Sequence, residues 1–265
     1  MKRELLDEFR SDILKNGEAK ISSRALMKGA GLTEEQIYRP FIGVVNSYSN
    51  FFPGHSNLDK IGQAVKDGIL MGGGTPVEFS TIGICDGIVM GNLGMKYSLP
   101  SRELIADSVE TMANAHVCDA IVLVCACDKI IPGMLMGALR LNIPTIVVTG
   151  GPMLAGNYKG KRVDVQDIAE SAGKVLAGTM DIETYIAYED EVCPGCGSCQ
   201  GMFTANSMAC MTEVLGLSLS GTGTIPAVSA KRYHLAKSAG MRAVELAKYD
   251  IKPSELLTKE AFYNA

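Results

Sequence analysis

Tryptophan is absent from this chain of 265 residues, and histidine occurs only three times. His55, His116 and His234 have no metal-ligand spacing to one another, which argues against a histidine-built metal motif. Nor is positive charge in excess. The 25 Lys and Arg stand against 29 Asp and Glu, a formal net charge of −4, so no polyanion-binding surface is expected. The basic cluster KGKR (159–162) lacks interleaved aromatics and reads as a solvated loop, with no nucleic-acid partner. No apolar run approaches the roughly 18 residues that a membrane span requires. The N-terminal MKRELLDEFRSDILKNGEAK is charged throughout, without the apolar stretch and cleavage site of a signal peptide, and the expectation is a soluble, cytoplasmic protein.

What the chain does contain is 47% apolar and 20% charged residues, ordinary globular usage that excludes disorder for most of its length. With 29 Gly and 14 Met, its core is expected to be turned by glycine and packed by methionine. Eight cysteines (85, 118, 125, 127, 193, 196, 199 and 210) in a reducing compartment point to metal or redox chemistry in preference to disulfides.

Four apolar, β-branched runs at 40–47, 77–85, 120–126 and 144–150 read as strands. Helical spacing lies between them at 58–71, 101–117 and 133–142, the second with Ser101 as N-cap after Pro100. Doubly apolar strands alternating with helices predict an α/β fold, a parallel sheet flanked by helices in three α/β/α layers. After Gly151 the pattern is mainly helical, at 164–177, 181–190, 200–217, 229–247 and from 254 onward. No domain boundary stands out within 1–265, and the final helical segment lacks a C-cap signal, as in a chain that continues.

Ligands of open α/β sheets bind beyond the carboxyl ends of the strands. The residues expected there include Asn46, Ser47 and the FFPGH turn, Cys85 and Asp86, Cys127, Asp128 and Lys129, and Gly150 with Gly151. A lone aspartate at a strand end is as readily a turn or helix cap. Two aspartates and a cysteine on one rim are harder to explain in that way. The sharpest signal is CPGCGSC, with Cys193, Cys196 and Cys199 spaced by three before a predicted helix, an arrangement suited to thiolate-bound metal. A ferredoxin-type run needs a further cysteine at 203, where this chain has Phe203, so a cluster must recruit a ligand elsewhere, most naturally Cys127. A structural zinc site built from the same four thiols is the rival reading. Cys118, Cys125 and Cys210 read as small core residues, as do Met134, Met136, Met202, Met208 and Met211. His116 reads as a helix C-terminal partner and His234 as a surface residue, which leaves His55 as the one histidine that faces a site. The GGG (72–74) and GTG (221–223) clusters read as turns, because neither fits a phosphate-loop motif.

The segments PFIGVVNSYSNFFPGH, ICDGIVMGNLGMKYSLPSRELIADSVE, CDKIIPGMLMGALRLNIPTIVVTGGPM and CPGCGSCQGMFTANSMACMTEVLGLSLSGTGT closely resemble the dihydroxy-acid dehydratase and phosphogluconate dehydratase family, from about Arg24 to the last residue. The SLPSRE and GMFTANSM wording is most similar to the branch that acts in valine, leucine and isoleucine biosynthesis. Members are about twice as long, so the chain is expected to be an N-terminal part, inactive alone, with the catalytic serine base and one more Mg²⁺ carboxylate in a C-terminal domain. The resemblance implies that Cys127 and Cys199 bind an iron–sulfur cluster, of two or four irons, and that Asp86 and Asp128 bind Mg²⁺. It also implies that Lys129 joins that Mg²⁺ as a carbamate; an unmodified lysine paired with a carboxylate is the plain alternative. Members with a two-iron cluster often carry a cysteine in the turn after the first strand, where this chain has Gly54, which leaves Cys85, Cys193 and Cys196 as further thiolates or neighbours of the cluster. The implied reaction removes water from a 2,3-dihydroxy acid to give a 2-keto acid, in a homodimer when full-length. Sugar-acid dehydration is the alternative within the family, and a structural zinc-thiolate module the alternative outside it.

Overall fold

A computed structural model describes residues 5–265. Three short helices, α1 (Asp12–Lys15), α2 (Ile21–Gly29) and α3 (Glu34–Ile37), precede β1 (Phe41–Asn46). There follow α4 (Leu58–Met71), β2 (Thr75–Ser80), α5 (Asp86–Val89), α6 (Ser98–Ala115), β3 (Ala120–Cys125), α7 (Ile130–Leu141) and β4 (Thr145–Thr149). The four strands form a wholly parallel sheet in the order β2-β1-β3-β4.

Each of β1, β3 and β4 is buried along its whole length, because side chains alternate between two covered faces. Ile42, Val44, Val122, Val124 and Val148 face α4 and a long helix from the second half, α11 (Ala230–Lys248), and Val45, Ile121, Leu123 and Cys125 face α6 and α7. This is the expected three-layer α/β/α arrangement. The α4–α11 pair packs backbone to backbone: a Cβ on Gly68 would meet the Lys237 carbonyl, and one on Gly240 the Val65 carbonyl.

The second half runs through a small antiparallel hairpin, β5 (Gly156–Tyr158) and β6 (Lys161–Val163), then α8 (Val165–Leu176), α9 (Ile182–Glu191), α10 (Thr204–Val214), α11 (Ala230–Lys248), α12 (Pro253–Leu256) and α13 (Lys259–Asn264). It is mainly helical, as expected. The KGKR cluster forms the hairpin turn and its second strand, with Gly160 at φ 83°. Among the described residues no helix is long and apolar enough to cross a membrane.

Three boundaries depart from the sequence reading. The second strand ends at Ser80, not 85, so Asp86 reaches the rim on a loop and a short helix. Helix α6 starts at Ser98 with Pro100 inside its first turn, where a missing N–H is harmless, and Ser101 is a buried helical residue that donates to the Ser98 carbonyl. Helix α10 starts only at Thr204, since the preceding residues are tied to other loops. Met134 is fully buried, but Met202 is 69% exposed and is not a core residue.

On the amino-end side of the sheet, Asp119 accepts hydrogen bonds from the Ser11 N–H (2.8 Å), the Ser11 hydroxyl (2.6 Å) and the Phe41 N–H (2.7 Å). Lys15, fully buried, donates to Ser11 Oγ and the Arg39 carbonyl, both at 2.7 Å, and lies 4.5 Å from the Phe41 ring centre. Burial pushes the Asp119 pKa up and the Lys15 pKa down, each partly opposed by its partners.

Candidate functional site

In the order β2-β1-β3-β4 the chain reverses direction across the sheet between β1 and β3, the switch point where the loops after the two strands splay apart and leave a crevice. The two loops are joined by His55. Its ring is fully buried, with Nδ1 2.5 Å from the Ser47 carbonyl and Nε2 3.0 Å from the Ala126 carbonyl, and it packs against Phe52 at 4.5 Å between ring centres. Burial lowers its pKa, against the two carbonyl contacts. His55 is therefore a strut under the rim and does not face a site, a correction to the sequence reading. Next to Ala126, Cys127 adopts the left-handed conformation, φ 66°, a strained state for a non-glycine residue and one concentrated at functional positions.

Gly54 fills the crevice beside it. A Cβ there would stand 2.5 Å from Cys127 Sγ and 3.8 Å from the Gly197 carbonyl oxygen, so the missing side chain leaves the sulfur its room. The CPGCGSC segment crosses the same place, stitched by backbone: Gly197 N–H to the Pro53 carbonyl (2.9 Å), Ser198 N–H to Gly151 (3.0 Å), and Met153 N–H to Ser198 (2.9 Å). Asn206 at the start of α10 donates to the Cys199 carbonyl (2.6 Å) and the Gly201 carbonyl (2.8 Å), and accepts from the Ser198 hydroxyl (2.7 Å). Arg232, fully buried in α11, holds the end of β4 and the GTG turn through the Thr149 (3.0 Å), Thr222 (2.8 Å) and Ile225 carbonyls; burial lowers its pKa to about 10. Glu213 accepts from the Gly221 (2.5 Å) and Gly223 (3.1 Å) N–H groups of that turn.

Burial drives the Cys127 thiol well above the ordinary cysteine pKa, and the nearby thiols of Cys85 and Cys199 and carboxylates of Asp86 and Asp128 push it further. Cys199 is raised by burial and then by Cys85 and Cys193; Cys193, which is exposed, is raised by burial and then by Cys85. The structure thus gathers Cys85, Cys127 and Cys199 into one electrostatic neighbourhood, with Cys193 at its solvent side and Cys196 half-buried in the same segment.

Lys129 Nζ is held by Asp86 Oδ2 at 3.0 Å and by a shorter contact to Asp128 Oδ1. Burial alone would lower its pKa, but the hydrogen bonds and charges of the two carboxylates outweigh it and the pKa is raised. Ser98 donates to the other oxygen of Asp86. Among the described residues no three His, Cys, Asp or Glu side chains close tightly enough to grip an ion as they stand. The donor chemistry nonetheless fits the groups named above. Soft sulfur stands beside hard carboxylate oxygen on one rim, the respective preferences of iron–sulfur and Mg²⁺ sites. A pocket of about 330 Å³ opens next to Cys85, lined by Ser49, Phe51, Phe52, Gly83, Ile84, Ile88 and Val89.

Sequence reasoning found the cysteines, aspartates and lysine of this rim but not the residues that hold it. Ser98, Asn206 and Arg232 carry no local signal, since each is a helix residue whose partners lie outside its own helix.

Comparison with known proteins gives one family. The sequence profile described as dihydroxy-acid/6-phosphogluconate dehydratase N-terminal matches residues 39–265. The chain is 59% identical over 257 residues to a dihydroxy-acid dehydratase of Ruminiclostridium cellulolyticum, covering 97% of this chain and 47% of that protein. To proteins of the same name from Desulfosudis oleivorans and Acetivibrio thermocellus it is 56% and 58% identical, covering 97% of this chain and 47% and 46% of theirs. The chain spans about half the length of the curated relatives it matches.

Proposed function

The chain belongs to the dihydroxy-acid/6-phosphogluconate dehydratase family, and on that premise we propose that it serves a hydro-lyase that converts a 2,3-dihydroxy acid of the 2,3-dihydroxy-3-methylbutanoate type to a 2-keto acid, a step of branched-chain amino-acid biosynthesis. In this reading Cys127 and Cys199 hold an iron–sulfur cluster, and Asp86, Asp128 and a carbamylated Lys129 hold Mg²⁺. When bound, the two groups supply Lewis acidity, at the C3 hydroxyl and at the carboxylate and C2 oxygen respectively.

The carrying observation is the meeting of Cys127, Cys199, Asp86, Asp128 and Lys129 at the β1/β3 switch point, from segments far apart in sequence. Around it the chain's own residues have definite tasks. Ser98 orients the Asp86 carboxylate. Lys129, held as an ammonium by two carboxylates, must lose one proton to solvent before its amine can take up CO₂ and a second as the N–C bond forms; the carbamate would then set three anions side by side, which a cation stabilises. Carbamylation and Mg²⁺ binding are thereby coupled. The pocket beside Cys85 is lined mostly by apolar side chains, Phe51, Phe52, Ile84, Ile88 and Val89, which suits a short branched aliphatic tail. A sugar acid would set more hydroxyls against those apolar side chains, which favours the methyl-bearing substrate.

Anaerobic reconstitution of the protein that carries this chain tests the reading. Iron and acid-labile sulfide should load together, fall severalfold in Cys127→Ser, and accompany dehydration of the branched dihydroxy acid in preference to gluconate. Colourless protein with bound zinc would overturn it.

A further inference from the structure

Cys85, Cys193 and Cys196 are the rim thiols that the proposed function leaves without a task, and Cys85 is the best placed of them. It caps α5 directly before Asp86, whose carboxylate holds Lys129 at 3.0 Å; Cys127 lies two residues before Lys129. That ion pair draws residues 85 and 127 to the same part of the rim. Cys85 also lines the pocket that opens there. Cys85 lies near enough to Cys127, Cys199 and Cys193 to interact electrostatically with each of them. Cys193 is exposed, the poorer setting for a ligand of a group enclosed by protein, and Cys196, half-buried like Cys85, is not among the groups that act on Cys127 or Cys199.

The chemistry needs such a residue. Closed iron–sulfur clusters take four thiolates, so one that keeps an iron open to a hydroxyl takes three. The turn after β1 offers no sulfur, because residue 54 is glycine and its place is taken by the Cys127 sulfur. We propose that Cys85 is the third thiolate of the cluster, completing a trio with Cys127 and Cys199. Each thiol releases its proton to solvent as its sulfur–iron bond forms. The assignment rests on the dehydratase reading above.

Alkylation footprinting of the wild-type protein with iodoacetamide, before and after anaerobic loading with ferrous iron and sulfide, tests it without any variant. Cys85 should become protected together with Cys127 and Cys199, by at least tenfold in rate, while Cys193 stays reactive. Loading of Cys85→Ser, with its fold checked by circular dichroism, should leave at most half the wild-type iron or a changed electron paramagnetic resonance spectrum; Cys193→Ser should match wild type. Loaded wild-type protein whose Cys85 reacts at the unloaded rate, or Cys85→Ser with unchanged iron, sulfide and spectrum, overturns the assignment and leaves the dehydratase reading standing. Wild-type protein that takes up no iron and sulfide sinks both.

Discussion

Gly54 and Cys127 share a space that holds one side chain: a Cβ on the glycine would stand 2.5 Å from the cysteine sulfur. Because Cys127 is also held at φ 66°, the sulfur has little freedom to retreat. Gly54→Ala should therefore lower the fold's stability by about 1–3 kcal/mol through overpacking and weaken cluster retention by about 10–100-fold, as displacement of a ligand's support does. Urea midpoints and iron per chain during dialysis against a chelator measure the two effects separately.

Lys129→Arg keeps the positive charge between Asp86 and Asp128 but cannot form the carbamate. The fold should survive, and Mg²⁺ affinity and dehydration should each fall by at least about 10-fold, read by calorimetric titration and keto-acid assay. The two carboxylates raise the Lys129 pKa, so the reactive neutral amine becomes more abundant as pH rises. Activation of wild-type protein by bicarbonate and Mg²⁺ should accelerate with pH. An arginine variant as active as wild type removes the carbamate from the reading.

Asp119 binds Ser11 and Phe41 on the far side of the sheet and is the main counter-charge to buried Lys15. Asp119→Ala leaves three buried donors, the Ser11 N–H and hydroxyl and the Phe41 N–H, without their acceptor, while Lys15 keeps Ser11 Oγ, the Arg39 carbonyl and Asp12; stability should drop by about 3 kcal/mol or more. Proteolysis should then cut first in the segment before β1. Denaturant titration against the wild type gives the magnitude.

Cys118 and Cys125 are buried thiols whose pKa is pushed up to about 12, in both cases chiefly by burial. In the unfolded chain they release protons near pH 9, whereas in the fold they hold them to about pH 12. The unfolded state therefore gains between those limits, at up to about 1.4 kcal/mol per pH unit for each thiol. Below pH 9 this contribution is fully present. Cys118→Ala/Cys125→Ala should show a shallower loss of stability above pH 9 than wild type, by denaturation at successive pH values.

The sheet was readable in the sequence because β1, β3 and β4 are covered on both faces and so appear as unbroken apolar runs. Edge strand β2 misled because the apolar pattern runs on through Thr81–Cys85, although the chain has already left the sheet and Gly83 packs against Phe52, His55 and Ile130. The three-residue strands of the hairpin, GNY and KRV, carry no alternation to read. At the site, cysteines and aspartates announce themselves by chemistry. His55 looked like a site residue because it follows a strand, but its two ring nitrogens are occupied by carbonyls of two different loops, a relation that only tertiary structure supplies.

The rim thiols come from three separate loops, and this sets a clock on their assembly. At roughly 5–20 residues per second, on the order of 6–23 s of synthesis separate Cys85 from Cys199 on the ribosome. During that interval the earlier sulfurs have emerged without their partner. In the proposed reading, an iron–sulfur cluster cannot be completed before Cys199 emerges, by which time all four strands of the sheet, the last ending at Thr149, have been synthesised.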